Sequence, residues 1–401
     1  MRVLQINETI NIGSIGRTTY ELSKELTELG HESFIAFSRG NSNNLSTFRI
    51  GGEWEHHLHA VMSRLTGLQG YFSWRSTGQL VKYMDRISPN IVHLRNLHGN
   101  YINLPILMKY LAENDIPTVI TLHDCWLFTG KCPYPISINC EKYKNGCGNC
   151  PLWKKDKLNP SWFFDTTHKC IMDKRKWFNN IPRLSVVGVS KWVTEVASQS
   201  ILSSHNLVTI YNWIDLDVFK PRESKFREFY NLEDKFVLLF VASFFSEYKG
   251  YTLIRTLAEK LPTDWVIVAV GKEVKPLPNN IIHIDNTNNA IELAQYYSMA
   301  DVCVNCTDYE TFGKVTAESI SCGTPVIVYN NTASPELVGD NCGFVIDESK
   351  GISAILEKIH IIHSIGKGHF SSYCRAFAEK MFSKKVGIQK YIDLYNQMLQ
   401  H

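Results

Sequence analysis

Two rhythms of apolar and polar positions take turns along this chain. Arg2 to Asn7 is a short apolar run that reads as a buried first strand. From about Thr18 to Gly30, leucines recur at 22, 26 and 29, the spacing of one helix face. Ile91-Val-His-Leu94, Thr118-Val-Ile-Thr-Leu122 and Arg183 to Val189 are further strand-like runs. Phe236-Val-Leu-Leu-Phe-Val-Ala242 is apolar throughout, as expected of a strand buried on both faces of a parallel sheet. Trp265 to Val270, Ile281 to Ile284, Ala300-Asp-Val-Cys-Val-Asn305 and Pro325-Val-Ile-Val-Tyr329 continue the series, and Arg375 to Gln400 reads as a charged amphipathic helix. Strands separated by helical patterns predict an α/β chain with parallel sheets. The run at 236 restarts the alternation and marks a second domain, and 401 residues suit two domains of about 200 each.

Between the last two strands lies Asp308-Tyr-Glu-Thr-Phe-Gly-Lys-Val-Thr-Ala-Glu318, followed by Ser-Ile-Ser-Cys-Gly-Thr-Pro325. Val315, Ala317, Ile320 and Cys322 suit a short helix that Gly323 and Pro325 end. Glu310 precedes that helix, and Phe312 and Gly313 stand near its first turn, where unpaired amides and the positive dipole end suit a phosphate. Glu318 follows about two turns later, placed to accept hydrogen bonds from a pair of hydroxyls. A carboxylate, then amides, then a second carboxylate describe the sugar, diphosphate and ribose of a nucleotide-sugar. Near the N-terminus, Asn11-Ile-Gly13-Ser-Ile-Gly16-Arg17 is a glycine loop between first strand and first helix, able to bring backbone close to an anion. It is not Gly-x-Gly-x-x-Gly, so dinucleotide binding is weakly supported. His123 ends a strand, where ligands bind in open α/β sheets.

Composition narrows the classes. A net charge of +3 leaves no nucleic-acid footprint. No apolar run approaches the ~18 residues of a membrane span, and Met1-Arg-Val-Leu-Gln-Ile reads straight into a strand rather than a signal peptide. The expected location is therefore cytoplasmic, with the eleven cysteines mostly reduced or metal-bound.

The segment from Asp308 to Pro325 resembles the Glu-x7-Glu signature of retaining glycosyltransferases of family 4 (glycosyl transferases group 1), framed here by Phe-Gly and Cys-Gly-Thr-Pro. The resemblance implies the GT-B fold, two Rossmann-like domains with parallel sheets facing across a cleft. It implies domains 1–210 and 211–383, with the C-terminal helix 384–401 returning to the first. It assigns Glu310 to the donor sugar, the Phe312 and Gly313 amides to sugar and diphosphate, and Glu318 to the ribose. It places the Gly16 loop towards the donor phosphates and His123 near the reacting sugar. The family carries an arginine and then a Lys-Gly after the first strand of its second domain. Lys249-Gly250 matches, but Ser243 stands where the arginine is expected, and Lys314 is the candidate for the missing charge. Thr209 to Pro221 is similar to the family's crossover segment, with Trp213 in place of a glycine. Asp215-Leu-Asp217 spells a metal–diphosphate DxD, but its linker position argues against that use. The implied activity is metal-independent transfer, with retention, of a hexosyl-type sugar from a nucleotide-sugar to a glycan or lipid-linked glycan, as in bacterial O-antigen, capsule or exopolysaccharide synthesis. Two alternatives stay open: another GT-B activity, or a non-catalytic glycan- or membrane-binding protein on a degenerate scaffold.

Two stretches depart from a generic enzyme of this kind. The insertion 125–151 holds Cys125, Cys132, Cys140, Cys147 and Cys150, with Gly-Cys147-Gly-Asn-Cys150-Pro as a Cys-x2-Cys knuckle. Cys132, Cys140, Cys147 and Cys150 suit a tetrahedral structural zinc; disulfides and free thiols are the rivals. Residues 151–178 interleave Lys154, Lys155, Lys157, Lys169, Lys174, Arg175 and Lys176 with Trp153, Trp162, Phe163, Phe164, Trp177 and Phe178. That mixture suits peripheral contact with an anionic membrane, which implies the inner face of the plasma membrane. Glu53-Trp-Glu-His-His-Leu-His59 is histidine-rich, but without a second ligand cluster it reads as structural.

Overall fold

A computed structural model describes residues 1–42, 46–156 and 159–400. Internal contacts divide the chain into two units, Met1–Ile210 with the chain from Ile388 onward, and Tyr211–Gly387. Each is a parallel sheet with helices between its strands, as the alternating pattern predicts.

The first unit holds strands β1 (Arg2–Thr9), β2 (Glu32–Arg39), β3 (Thr47–Arg49), β4 (Ile91–Leu94), β5 (Thr118–Leu122), β6 (Leu184–Gly188) and β7 (Asn206–Thr209), in the order β3-β2-β1-β4-β5-β6-β7. Pairing of β1 with β2 runs from Arg2↔Glu32 to Thr9↔Arg39, and with β4 from Val3↔Ile91 to Ile6↔Leu94. The carboxyl end of β1 thus projects past that of β4. β4 and β5 are buried at every position, so the polar side chains they carry, His93 and Thr121 among them, are hydrogen-bonded inside the core.

The first helix, Gly13–Glu28, begins earlier than Thr18. Asn11 at φ 58° and Gly13 at φ 65° turn the chain within Ile10–Gly13, so Gly16 lies in the helix rather than in a loop. A Cβ at Gly16 would stand 2.8 Å from Thr9 Oγ1, so glycine there lets the helix close onto β1.

The second unit holds β8 (Phe236–Phe245), β9 (Trp265–Glu273), β10 (Ile281–Ile284), β11 (Val302–Asn305), β12 (Val326–Tyr329) and β13 (Gly343–Ile346), ordered β10-β9-β8-β11-β12-β13. The run expected as one helix over Arg375–Gln400 is two, Lys367–Met381 and Lys384–Gln400. Buried Phe382 packs on Phe312 and Phe377, and Ser383 bridges Ile214, which breaks the helix at that point. The later helix is fastened to the first sheet through buried polar groups. His93 Nδ1 meets Tyr395 Oη at 2.7 Å, His93 Nε2 meets Thr121 Oγ1 at 2.7 Å, and Tyr391 Oη lies 2.9 Å from Thr121 Oγ1. Trp213, in the place of the family glycine, is buried beside Gly387, whose Cβ would stand 2.9 Å from the indole.

Among the described residues, no helix is long and apolar enough to cross a membrane.

Candidate active site

In the second unit the order of strands reverses between β8 and β11. Open α/β sheets bind ligands outside the carboxyl ends of the strands at such a point. Two loops leave there. After β8, a 3-10 turn over Glu247–Lys249 ends at Gly250, whose φ of 85° redirects the chain into the helix Tyr251–Ala258. After β11, the chain runs through Glu310 and Phe312 into the helix Lys314–Ser321.

Glu310 is held by its backbone. Its N–H donates to Thr332 Oγ1 (2.9 Å), and its carbonyl accepts from Ala333 N–H (3.2 Å). Its side chain takes Lys249 Nζ at 2.5 Å, an ion pair that joins the two loops. The Phe312 ring is buried against Tyr211 and Phe382, so only its backbone faces outward chemistry. Gly313 has φ 95°, a conformation that any side chain would strain, and it starts the helix without a side-chain cap. The first-turn amides are therefore available to an anion.

Glu318 is 5% exposed. It accepts from Tyr297 Oη at 3.0 Å, and Lys314 Nζ lies 3.4 Å from its other oxygen. Lys314, expected to supply charge to a diphosphate, is thus tied one helical turn down to Glu318. Ser243 lies within β8, which runs three residues beyond Ala242 after a register shift between Val241 and Phe244. Its carbonyl accepts from Asn286 Nδ2 at 2.9 Å.

The first unit has its own reversal, between β1 and β4, and polar groups collect there that no sequence motif marked. Glu8, next to the last residue of β1, takes Arg39 Nη1 at 2.9 Å and Asn96 Nδ2 at 3.2 Å. His98 Nε2 donates to Asp124 Oδ2 at 2.7 Å. Burial works to lower the His98 pKa, but the Asp124 carboxylate and then Glu8 outweigh it and raise the pKa. Burial opposes the Asp124 charge, yet the His98 charge and hydrogen bond hold its pKa below the usual carboxylate range. Burial, then the Arg95 charge, drives His123 down to about 3, so its imidazole is neutral. Glu8, Arg95 and His98 stand at or just beyond strand ends, and that position was the available signal.

The histidines at 56, 57 and 59 have separate partners: Ile50 O, Glu53 O and Ser73 Oγ. Asp215 Oδ1 accepts from the Asp217 and Val218 N–H groups, which uses the DxD to close a turn. The basic segment is less of a surface than expected. Lys174 is buried, its Nζ donating to Trp126 O (2.6 Å) and Thr129 O (3.0 Å), and Phe178 is in the core. Lys157 lies outside the described residues. Lys154, Lys155, Lys169 and Lys176 are exposed, as are Trp162, Phe163 and Phe164. Cys132, Cys140, Cys147 and Cys150 line a single small cavity.

Comparison with known proteins agrees with this architecture. Residues 15–218 match the family described as Glycosyltransferase Family 4, and residues 222–369 match Glycosyl transferases group 1. WcaC of Escherichia coli K12, described as a colanic acid biosynthesis glycosyl transferase, is 21% identical over 99% of this chain and 100% of its own length. The structure of Anabaena Alr3699/HepE in complex with UDP-glucose is similar at a TM-score of 0.67 and 14% identity, covering 99% of this chain and 100% of that one. WaaG, a glycosyltransferase involved in lipopolysaccharide biosynthesis, is similar at a TM-score of 0.59 and 14% identity, covering 98% and 95%. The shared fold is GT-B.

Proposed function

This chain belongs to Glycosyltransferase Family 4, and from that premise we propose that it moves a sugar, with retention, from a nucleotide-sugar to a glycan or lipid-linked glycan of a bacterial surface polysaccharide. The observation that carries the reading is the convergence of Lys249, Glu310 and the Gly313 helix start at the reversal point of the second sheet. In this reading the acceptor hydroxyl oxygen bonds to the anomeric carbon as the bond to the diphosphate breaks. The nucleoside diphosphate leaves with the bonding electrons, and the hydroxyl proton passes to it or to water. Lys249 and the first-turn amides meet the charge that develops on the diphosphate. Glu310 is assigned to the sugar hydroxyls and Glu318 to the ribose. Neutral His123 is assigned to hydrogen bonding at the sugar, because it holds no charge to donate or repel. No metal takes part in this scheme. The UDP-glucose bound to HepE, and the involvement of WaaG in lipopolysaccharide biosynthesis, support a nucleotide-sugar donor and a surface-glycan product.

The acceptor side fits a membrane. On the helix Glu53–Thr66, Trp54, Leu58 and Val61 are exposed, Trp54 to 87%. Their spacing puts them on one face. The Trp162 N–H donates to Arg64 O at 2.7 Å, which brings exposed Trp162, Phe163 and Phe164 to the end of that helix. Exposed Lys154 and Lys155 lie in the same stretch of chain. Aromatic and aliphatic side chains beside lysines suit the headgroup region of an anionic bilayer, where a lipid-linked acceptor resides. In this reading the enzyme works at the cytoplasmic face of the plasma membrane.

The decisive experiment is a screen of nucleoside diphosphates and their sugars for thermal stabilisation, followed by assay of donor turnover with and without chelator. One nucleotide series should stabilise the protein, and its sugar should be turned over. A protein stabilised by a glycan but by no nucleotide would favour the binding-protein alternative.

A further inference from the structure

The insertion after β5 follows His123 and Asp124 directly, and short 3-10 turns over Trp126–Phe128, Pro135–Ile138 and Lys142–Lys144 are its only regular structure. A segment so poor in regular structure needs a staple. Its four intermediate-burial thiols, Cys132, Cys140, Cys147 and Cys150, line one cavity of about 20 Å³. That is room for a single water or ion.

Three features of the walls point to a cation held by thiolates. The first is the backbone. Gly146, Cys147, Gly148 and Asn149 all have positive φ, at 108°, 52°, 93° and 45°. This tight turn carries Cys147 and Cys150 to the same cavity. The second is a donor. Gly130 N–H donates to Cys147 Sγ at 3.3 Å. Neutral thiols are weak acceptors, whereas amides directed at sulfur stabilise thiolates.

The third is charge. Lys131 and Lys174 are 2% and 1% exposed, and among the described residues neither forms an ion pair. Their ammonium groups donate to carbonyls, Lys131 to Trp153 O (2.6 Å) and Lys174 to Trp126 O and Thr129 O. The nearby carboxylates, Asp156 and Asp165 for Lys131 and Asp124 for Lys174, act from beyond ion-pair distance, and buried cations so placed are costly. A divalent ion on four thiolates carries a net charge of −2, which matches them.

We propose that Cys132, Cys140, Cys147 and Cys150 form a structural site for one zinc ion. Thiolate softness and four protein ligands with no open position select a closed tetrahedral zinc site over a hard or catalytic metal. Binding releases the four thiol protons as four Zn–S bonds form. Among the described residues, no three metal-binding side chains converge in coordination geometry, so the thiols turn inward on binding. The staple then holds the chain that leaves His123 and Asp124. This holds whether or not the donor reading above is correct.

The test uses the full chain purified without added metal. Metal analysis and native mass spectrometry should give about one zinc per chain, and release of the metal in acid should return the mass of the fully reduced chain. An organomercurial should release that zinc as it titrates four thiols. Cobalt replacing zinc should show thiolate charge-transfer and tetrahedral visible bands. Cys147→Ser should lose the metal and lower Tm; should it fail to fold, Cys140→His should keep one zinc, since imidazole substitutes for thiolate in such sites. Four free thiols with no uptake of zinc or cobalt would overturn the site. Disulfides joining these cysteines in peptide maps of the native protein would overturn it equally.

Discussion

Lys249 and Glu310, 61 residues apart in sequence, meet at 2.5 Å where the loops after β8 and β11 come together. Both side chains are largely shielded, at 23% and 19% exposure. The pair pre-positions an ammonium beside the start of the helix Lys314–Ser321, and a diphosphate would share it with Glu310. A fixed cation adds most where charge develops and water is scarce. Lys249→Ala should lower kcat by about 10²–10³, the effect of losing one positioned electrostatic donor. Product formation at saturating donor measures it, and wild-type turnover would remove Lys249 from the reaction.

The neighbouring pair, Lys314 and Glu318, separates binding from turnover. Lys314 lies 3.4 Å from Glu318, so its charge is engaged before any donor arrives. Glu318→Ala should weaken nucleoside diphosphate binding by about 1.5–3 kcal/mol, the loss of a charge-assisted hydrogen bond. Lys314→Ala should raise KM more than it lowers kcat, because it acts through Glu318. Calorimetric titration with UDP and with ADP reads the first, and steady-state kinetics the second. Unchanged nucleotide affinity in Glu318→Ala would refute the ribose assignment.

Much of the second unit was legible in the sequence because one segment carries its site. Glu310, Gly313 and Glu318 are local to a strand–loop–helix unit whose ends are marked by apolar runs and by Gly323 and Pro325. The first unit was less legible because its polar cluster is non-local. Glu8, His98 and Asp124 come from the ends of three strands, and only the order β1-β4-β5 makes them neighbours. Lys174 departs from expectation for a related reason. Its sequence neighbours are basic, but helical phase turns it inward to carbonyls from the cysteine-bearing insertion. The break at Phe382 depends on rings 70 residues away, such as Phe312, which no local pattern reveals.

The exposed aromatic surface yields a prediction that does not depend on chemistry. Trp54, Leu58, Trp162, Phe163 and Phe164 make no core, so replacing them should spare folding. Trp54→Ser combined with Phe163→Ser should weaken sedimentation with anionic phosphatidylglycerol vesicles while leaving Tm nearly unchanged. Lys154→Glu with Lys155→Glu should weaken it further at low salt than at high salt, since exposed charge is screened. Equal binding of all variants, or equal binding to neutral vesicles, would refute a membrane face here.

Two histidines beside the same strand ends are driven in opposite directions, and pH separates their roles. His98 has a raised pKa because Asp124 and Glu8 outweigh its burial. A raised folded pKa contributes stability that is complete below the ordinary value of about 6.5 and is lost as pH rises through the folded value. Asp124, with its lowered pKa, contributes stability present above its ordinary range and lost as pH falls through the depressed value. The pair therefore stabilises most in mildly acid solution, and His98→Gln should lower Tm more at about pH 6 than at about pH 9. His123 is different. Burial and Arg95 hold it down to about 3, so it does not titrate where the enzyme works. His123→Asn should reduce kcat at every pH without moving either limb of the pH–rate profile. A limb that disappears in His123→Asn would show that His123 ionises during the reaction, and its assignment as a neutral hydrogen-bonding group would fail.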